Sequence, residues 1–162
     1  MIMMKNITLK SMTRELCHEI FRHFEADPAV FRKDQVFRQY QYTQSGCDSY
    51  YERQKVLGRI HMAIMLEDAP IGEIILKNTD REQSSCHLSI HLVSDSVKNK
   101  GYGTAAEILA LEYAFTIEGM KYVYANALRE NKRSRHVLKK AGFEMIGQDE
   151  IYCYYVCTAP NG

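Results

Sequence analysis

The chain has 162 residues, 46% hydrophobic and 25% charged, with 9 Gly and 3 Pro, which suits one globular domain with its own core and excludes a collagen-like or disordered chain. Its 21 Lys and Arg against 20 Asp and Glu leave a net charge of +1, so the balance points to no nucleic acid and no anionic membrane as a partner. No apolar run approaches the ~18 residues of a membrane span, and Met1 to Asn6 leads into no signal-type apolar region, so a cytoplasmic protein is expected.

Five scattered cysteines fit a reducing compartment. Cys153 and Cys157 fall in one strand-like stretch, where four residues cover roughly 13 Å, beyond the ~7 Å that a disulfide tolerates between Cα atoms.

In chain order, a short strand at Ile7-Thr8-Leu9 precedes a helix from Thr13-Arg14-Glu15, with Leu16, Ile20 and Phe24 on one stripe. Asp27-Pro28 reads as an N-cap and a first-turn proline, opening a second helical stretch through Val30, Phe31, Val36 and Phe37. Tyr40 to Leu57 is polar and tyrosine-rich, with room for a helix between Gly46 and Gly58. The period then changes. Ile60 to Leu66 is a strand, Glu67 to Pro70 a turn, and Ile71 to Leu76 the returning strand of a hairpin. Cys86 to Val93 is another strand, with Leu88, Ile90 and Leu92 on one face. Ala105 to about Ile117 is a helix apolar on most of its circumference, Glu107 and Glu112 being among the exceptions. Tyr122 to Ala127 is a strand and Lys132 to Lys140 a helix closed by Gly142; short strands near Glu144 and from Ile151 to Thr158 finish the chain. The order predicts a mixed α/β sheet with helices on its faces, in a single domain over 1–162.

The chemistry concentrates between Val93 and Ala106. A strand ends, a loop carries Lys98, Asn99 and Lys100, and Gly101-Tyr102-Gly103-Thr104 opens a helix. The first turn of a helix has unpaired N–H groups and the positive end of the macrodipole, which suits a phosphate. Glycines there let a diphosphate approach the backbone; a tight turn packed on the sheet would use them equally well. No GxxxxGK[ST] is present, and the third glycine and following acid of a dinucleotide fingerprint are missing.

Lys98-x-x-Gly101-x-Gly103, followed by Asn131-x-x-Ser134 and Val137-Leu138-Lys139-Lys140-x-Gly142-Phe143, resembles the GNAT acetyltransferases. The Asn-x-x-Ser form, the early helices and the Ala69-Pro70-Ile71-Gly72 hairpin look most like the ribosomal-protein N-terminal acetyltransferase group. The resemblance runs from about Ile7 to Thr158. It implies the GNAT fold, α/β in the mixed α+β sense: a twisted, mostly antiparallel sheet of about six or seven strands, a splayed parallel pair, and helices on both faces.

It also implies acetyl-CoA as co-substrate, without a metal, and an amine acceptor; a homodimer is compatible with it. The pyrophosphate would lie on Asn99, Lys100, Gly101, Tyr102, Gly103 and Thr104, with Lys98 beside them. Pantetheine would pair with Leu92 and Val93, whose strand would also donate an N–H to the thioester carbonyl. Asn131 would hold the arm and Ser134 would sit near the sulfur. Many members carry a tyrosine four residues before the closing glycine as general acid, where this chain has Leu138.

A protonated amine of pKa ~10.4 must lose a proton before it attacks, whereas a thiol of pKa ~8.5 leaves tolerably well unaided. Direct attack governed by alignment is the expected mechanism. Ser134, His91 and Glu73 are the catalytic candidates: His91 as proton relay or as a partly buried structural histidine like His87, Glu73 as base or as a solvated edge residue. His87 and His91 start ~13 Å apart along a strand, too far to share a metal ion. Cys17-His18 does not form a nucleophilic pair, since adjacent helical residues diverge. The tyrosines Tyr50, Tyr51, Tyr152, Tyr154 and Tyr155 either line an amine pocket or fill the core. Arg133 and Arg135 belong to a solvated basic face or reach the CoA 3′-phosphate. The competing reading is a CoA-binding sensor of the same fold without catalysis, which Leu138 keeps open.

Overall fold

A computed structural model describes residues 6–30 and 40–160. The elements are β1 (Ile7–Ser11), α1 (Arg14–Arg22), a 3-10 turn (Pro28–Val30), α2 (Gln44–Val56), β2 (Ile60–Leu66), β3 (Ala69–Asp80), β4 (Ser85–Leu92), a 3-10 turn (Asp95–Val97), α3 (Tyr102–Thr116), β5 (Tyr122–Leu128), α4 (Lys132–Ala141), β6 (Glu144–Gln148) and β7 (Tyr152–Thr158).

Side-chain caps set the helix starts. Thr13 accepts from the Leu16 N–H at 3.1 Å, Thr43 from Gly46 at 3.0 Å, and Asn131 from Ser134 at 3.1 Å; such caps contribute ~1 kcal/mol each. α2 therefore begins at Gln44, ahead of Gly46. Gly142, at φ 110°, closes α4 in the left-handed conformation. Asp27 accepts from the Ala29 N–H, but only a 3-10 turn follows; the rest of the expected second helical stretch lies outside the described residues. The hairpin turn is tighter than expected, with Ala69 and Pro70 already in β3.

Seven strands form one sheet in the order β1-β2-β3-β4-β5-β7-β6, antiparallel except for β4 beside β5. Alternation along β2 separates two cores. Met62 and Ile64 join the larger one with Ala106, Leu109 and Ala110 of α3. Ala63 and Met65 turn to the other face, against Cys17 and Ile20 of α1 and Cys47 of α2. α3 and α4 thus cover one face and α1 and α2 the other.

β4 and β5 pair only at Ser85↔Tyr122, Cys86↔Val123 and His87↔Tyr124. β4 continues to Leu92 and β5 to Leu128, so the two strands part for the rest of their length. This gap places the site.

Candidate active site

The cleft between the parted strands is lined by Ile90 and Leu92 of β4, Gly103 of α3, and Asn131, Ser134 and Val137 from the start of α4. The cleft continues in a second cavity that shares Ile90, His91, Glu107, Asn131 and Ser134 with it and reaches Asn126 of β5 and Leu138 of α4. One strand supplies the backbone edge. The Val93 N–H is bonded to the Ile71 carbonyl at 2.9 Å, and its carbonyl accepts from Glu25 N–H at 2.7 Å. Successive amides of a strand point to opposite edges, so Leu92 turns its N–H toward the gap. Of the two expected donors to an acyl carbonyl, Val93 is committed to β3, and the Leu92 N–H is the one that faces the gap.

At the upper end, Asn99 (φ 60°) and Gly101 (φ 84°) take left-handed conformations that turn the loop into α3. No side chain caps α3, which leaves its first-turn N–H groups available to an anion. A Cβ at Gly103 would stand 3.7 Å from Val137 and 3.8 Å from Leu92, so the protein itself has room for one. The open space over Gly103 belongs to the cleft. These features fit the diphosphate and arm of an acyl-CoA.

The charged residues around the loop divide. Lys98 is nearly buried, with Nζ 2.9 Å from Asp27 and 3.3 Å from Asp95, so it anchors the loop instead of reaching freely for phosphate. Burial pushes the Asp27 carboxyl up, but the Lys98 ammonium, the Ala29 N–H and the Arg133 charge together outweigh it and hold the group below its ordinary range. Asn99 and Lys100 are exposed on the loop. Arg133 sits on the rim, 3.5 Å from Asp95 and 3.7 Å from Asp27. Arg135 is removed from it, donating to the Tyr155 hydroxyl and the Arg129 carbonyl.

Glu73 lies on β3, third of seven strands, and is 1% exposed; the solvated-edge reading does not hold. Its register partner across β4 is His91. Glu73 accepts from Tyr50 at 2.7 and 2.9 Å, and lies 2.7 Å from His61 Nε2 and 3.0 Å from His91 Nδ1. Burial raises its pKa, yet the hydrogen bonds from His61, His91 and Tyr50, with the charge on His91, together prevail and hold it at about 2. An ionised Glu73 accepts from the Nδ1–H of His91, so in the neutral ring Nε2 is the acceptor. The His91 side chain is 45% exposed and lines the cleft, with Phe24 edge-on to its ring at 6.4 Å. His87 instead packs at a tilt against the Tyr124 ring, centroids 5.5 Å apart. His18 binds Asp48 and Tyr42, and the buried Cys17 and Cys47 thiols lie 3.7 Å apart with burial pushing both pKa values up.

Three residues that the fold brings to Glu73 or to the cleft escaped the sequence reading. Tyr50 was one of several tyrosines with two readings, His61 carried no motif, and Glu107 stood out only as a charge in an apolar helix. Glu107 is 1% exposed, lines both parts of the cleft, and its Oε2 meets no hydrogen-bond partner among the described residues. Burial raises its pKa to about 8.

Comparisons with known proteins agree with this geometry. The chain is 32% identical over 57 residues to spermidine N(1)-acetyltransferase of Escherichia coli (strain K12), a match spanning 35% of this chain and only 31% of that relative. Spermidine N-acetyltransferase from Vibrio cholerae, solved in complex with CoA and spermine, superposes with a TM-score of 0.77 at 15% identity, covering 94% of this chain and 95% of that one. AAC(6')-Ib, solved with ribostamycin and coenzyme A, gives 0.76 at 19% identity, over 94% and 93%. These two likenesses establish the fold. A family model described as the acetyltransferase (GNAT) domain matches residues 6–144; with the parted strands and the glycine-opened helix where such a domain needs them, the chain belongs to the GNAT acetyltransferase family.

Proposed function

We propose that the protein transfers the acetyl group of acetyl-CoA to a primary amine by direct attack, with both substrates bound together. The observation that carries this reading is the gap between β4 and β5, faced at its upper end by the uncapped start of α3. Acetyl-CoA supplies an acyl group already activated as a thioester. The first-turn amides of α3 bind the diphosphate, and the Leu92 N–H binds the acyl oxygen as it gains charge. Asn131 uses its carbonyl on the Ser134 amide, which leaves its NH2 to donate to the arm. Ser134 stands beside the sulfur. His91, steadied by Glu73, takes the amine proton on Nε2. Glu73 is too weak a base for that work itself and acts by holding His91.

For the acceptor, a polyamine has first claim. Two of the three relatives named above act on or bind spermidine or spermine, and Glu25, exposed on the rim, offers a carboxylate to a second ammonium. A peptide N-terminus is the second reading, on the likeness of Asn131-x-x-Ser134 and the Ala69 to Gly72 hairpin to the ribosomal-protein group.

A thiol-release assay with acetyl-CoA against polyamines, aminoglycosides and N-terminal peptides tests both. Turnover above hydrolysis is expected, fastest with a polyamine. Coenzyme A binding without turnover on any amine would replace the enzyme reading by the sensor. No association with coenzyme A in a calorimeter would remove both.

A further inference from the structure

We infer that Glu107 is the catalytic acid that delivers a proton to the departing coenzyme sulfur, an assignment that rests on the acetyl transfer proposed above. Glu107 follows Gly103 by one helical turn, on the same face of α3. Its carboxyl is buried with one oxygen unpartnered among the described residues, and it lines both the loop end of the cleft and the part that reaches β5.

Three other polar side chains line both parts: His91, Asn131 and Ser134. His91 is held by Glu73 and faces the amine; the Asn131 carbonyl caps α4; Ser134 bears an alcohol, a poor source of protons near neutrality. Leu138 has no proton to give. Glu107 is the one of these that carries an acidic proton before the amine attacks: burial keeps it neutral up to about pH 8, close to the ~8.5 of an alkyl thiol. Near-matched acids exchange a proton with little free-energy change.

The step balances. As nitrogen bonds to the acyl carbon, the carbon–sulfur bond breaks and its electron pair stays on sulfur. The Glu107 O–H proton passes to that sulfur, giving the free thiol and a buried carboxylate. The amine's surplus proton leaves through His91, and Glu107 regains one from water after product release.

Calorimetry with CoA and desulfo-CoA, which lacks only the thiol, reads the contact directly. Wild type is expected to favour CoA by roughly tenfold, the worth of one good hydrogen bond, and Glu107→Leu to lose that preference. In steady-state assays, Glu107→Gln is expected to lose about 10²-fold or more in kcat with KM for acetyl-CoA nearly unchanged, and to lose the fall in kcat above about pH 8. A preserved CoA preference in Glu107→Leu overturns the assignment. So does wild-type turnover in Glu107→Gln, or equal weakening toward both ligands, which would mark an arm contact. Wild-type binding of neither ligand would count against the transfer reading itself.

Discussion

Glu107→Gln removes a proton-binding site that folding must load. In the unfolded chain an ordinary glutamic acid titrates near 4.5, whereas burial raises the folded group to about 8. Between those values the folded state binds a proton that the unfolded state has released, so wild-type stability falls as pH rises through that window. At pH 7 the gap from 4.5 is 2.5 pH units, and at 1.36 kcal/mol per unit the cost is about 3 kcal/mol. Glutamine fills the same space and stays neutral throughout. The variant should match wild type at pH 4, gain steadily above 4.5, and reach a constant advantage above about pH 8. For a domain of this size, about 3 kcal/mol corresponds to a Tm increase of roughly 6–12 °C. Paired thermal melts from pH 4 to 9 make the measurement. Parallel curves with no pH-dependent gap would show that the folded carboxyl titrates normally, and the argument for a stored proton would fail. A site residue that costs stability where an apolar side chain would not is the usual signature of a working group.

Glu73→Gln should act in the opposite sense on the pH axis. The folded pKa is depressed to about 2, so its contribution is complete above 4.5 and is lost as pH falls toward 2; the variant should lose about 3 kcal/mol at pH 7 by urea titration and show a flatter acid limb. Gly72→Ala places a Cβ 2.4 Å from the His91 carbonyl oxygen and 3.1 Å from Leu92 Cα. Pushing β3 from β4 there should cost ~1–3 kcal/mol by urea titration and also weaken CoA binding, because the displaced strand carries the Leu92 amide. Gly103→Leu should leave Tm within a few degrees, since a Cβ meets only ordinary contacts, yet reduce CoA affinity by about tenfold or more by filling the cleft; unchanged affinity would move the phosphate site elsewhere.

Much of the fold is written locally. Thr13, Asn131 and Gly142 mark helix ends by their own chemistry, and alternation in Ile60 to Leu66 reads out β2 without reference to anything else. The two motifs likewise carry the glycine-opened α3 and the Asn131 cap, because an anion site on a helix start needs few residues and they are contiguous. Periodicity says nothing about what lies across a strand. Glu73 sits in a pattern that reads equally as an edge, and only the β3–β4 register brings it to His91, while α2 delivers Tyr50 from elsewhere in the chain. The direction of one amide, Leu92 and not Val93, follows from pairing with Ile71. Glu107 was visible as a charge among apolar neighbours, but its burial and its unmatched oxygen arise from the packing of α3 and α4 beside two strands that separate. Sequence determined the elements and the glycine-opened loop because those depend on neighbours along the chain. The surroundings of Glu73, His91 and Glu107 were decided by tertiary structure, because an acid's strength is set by the charges, donors and solvent that the fold places around it.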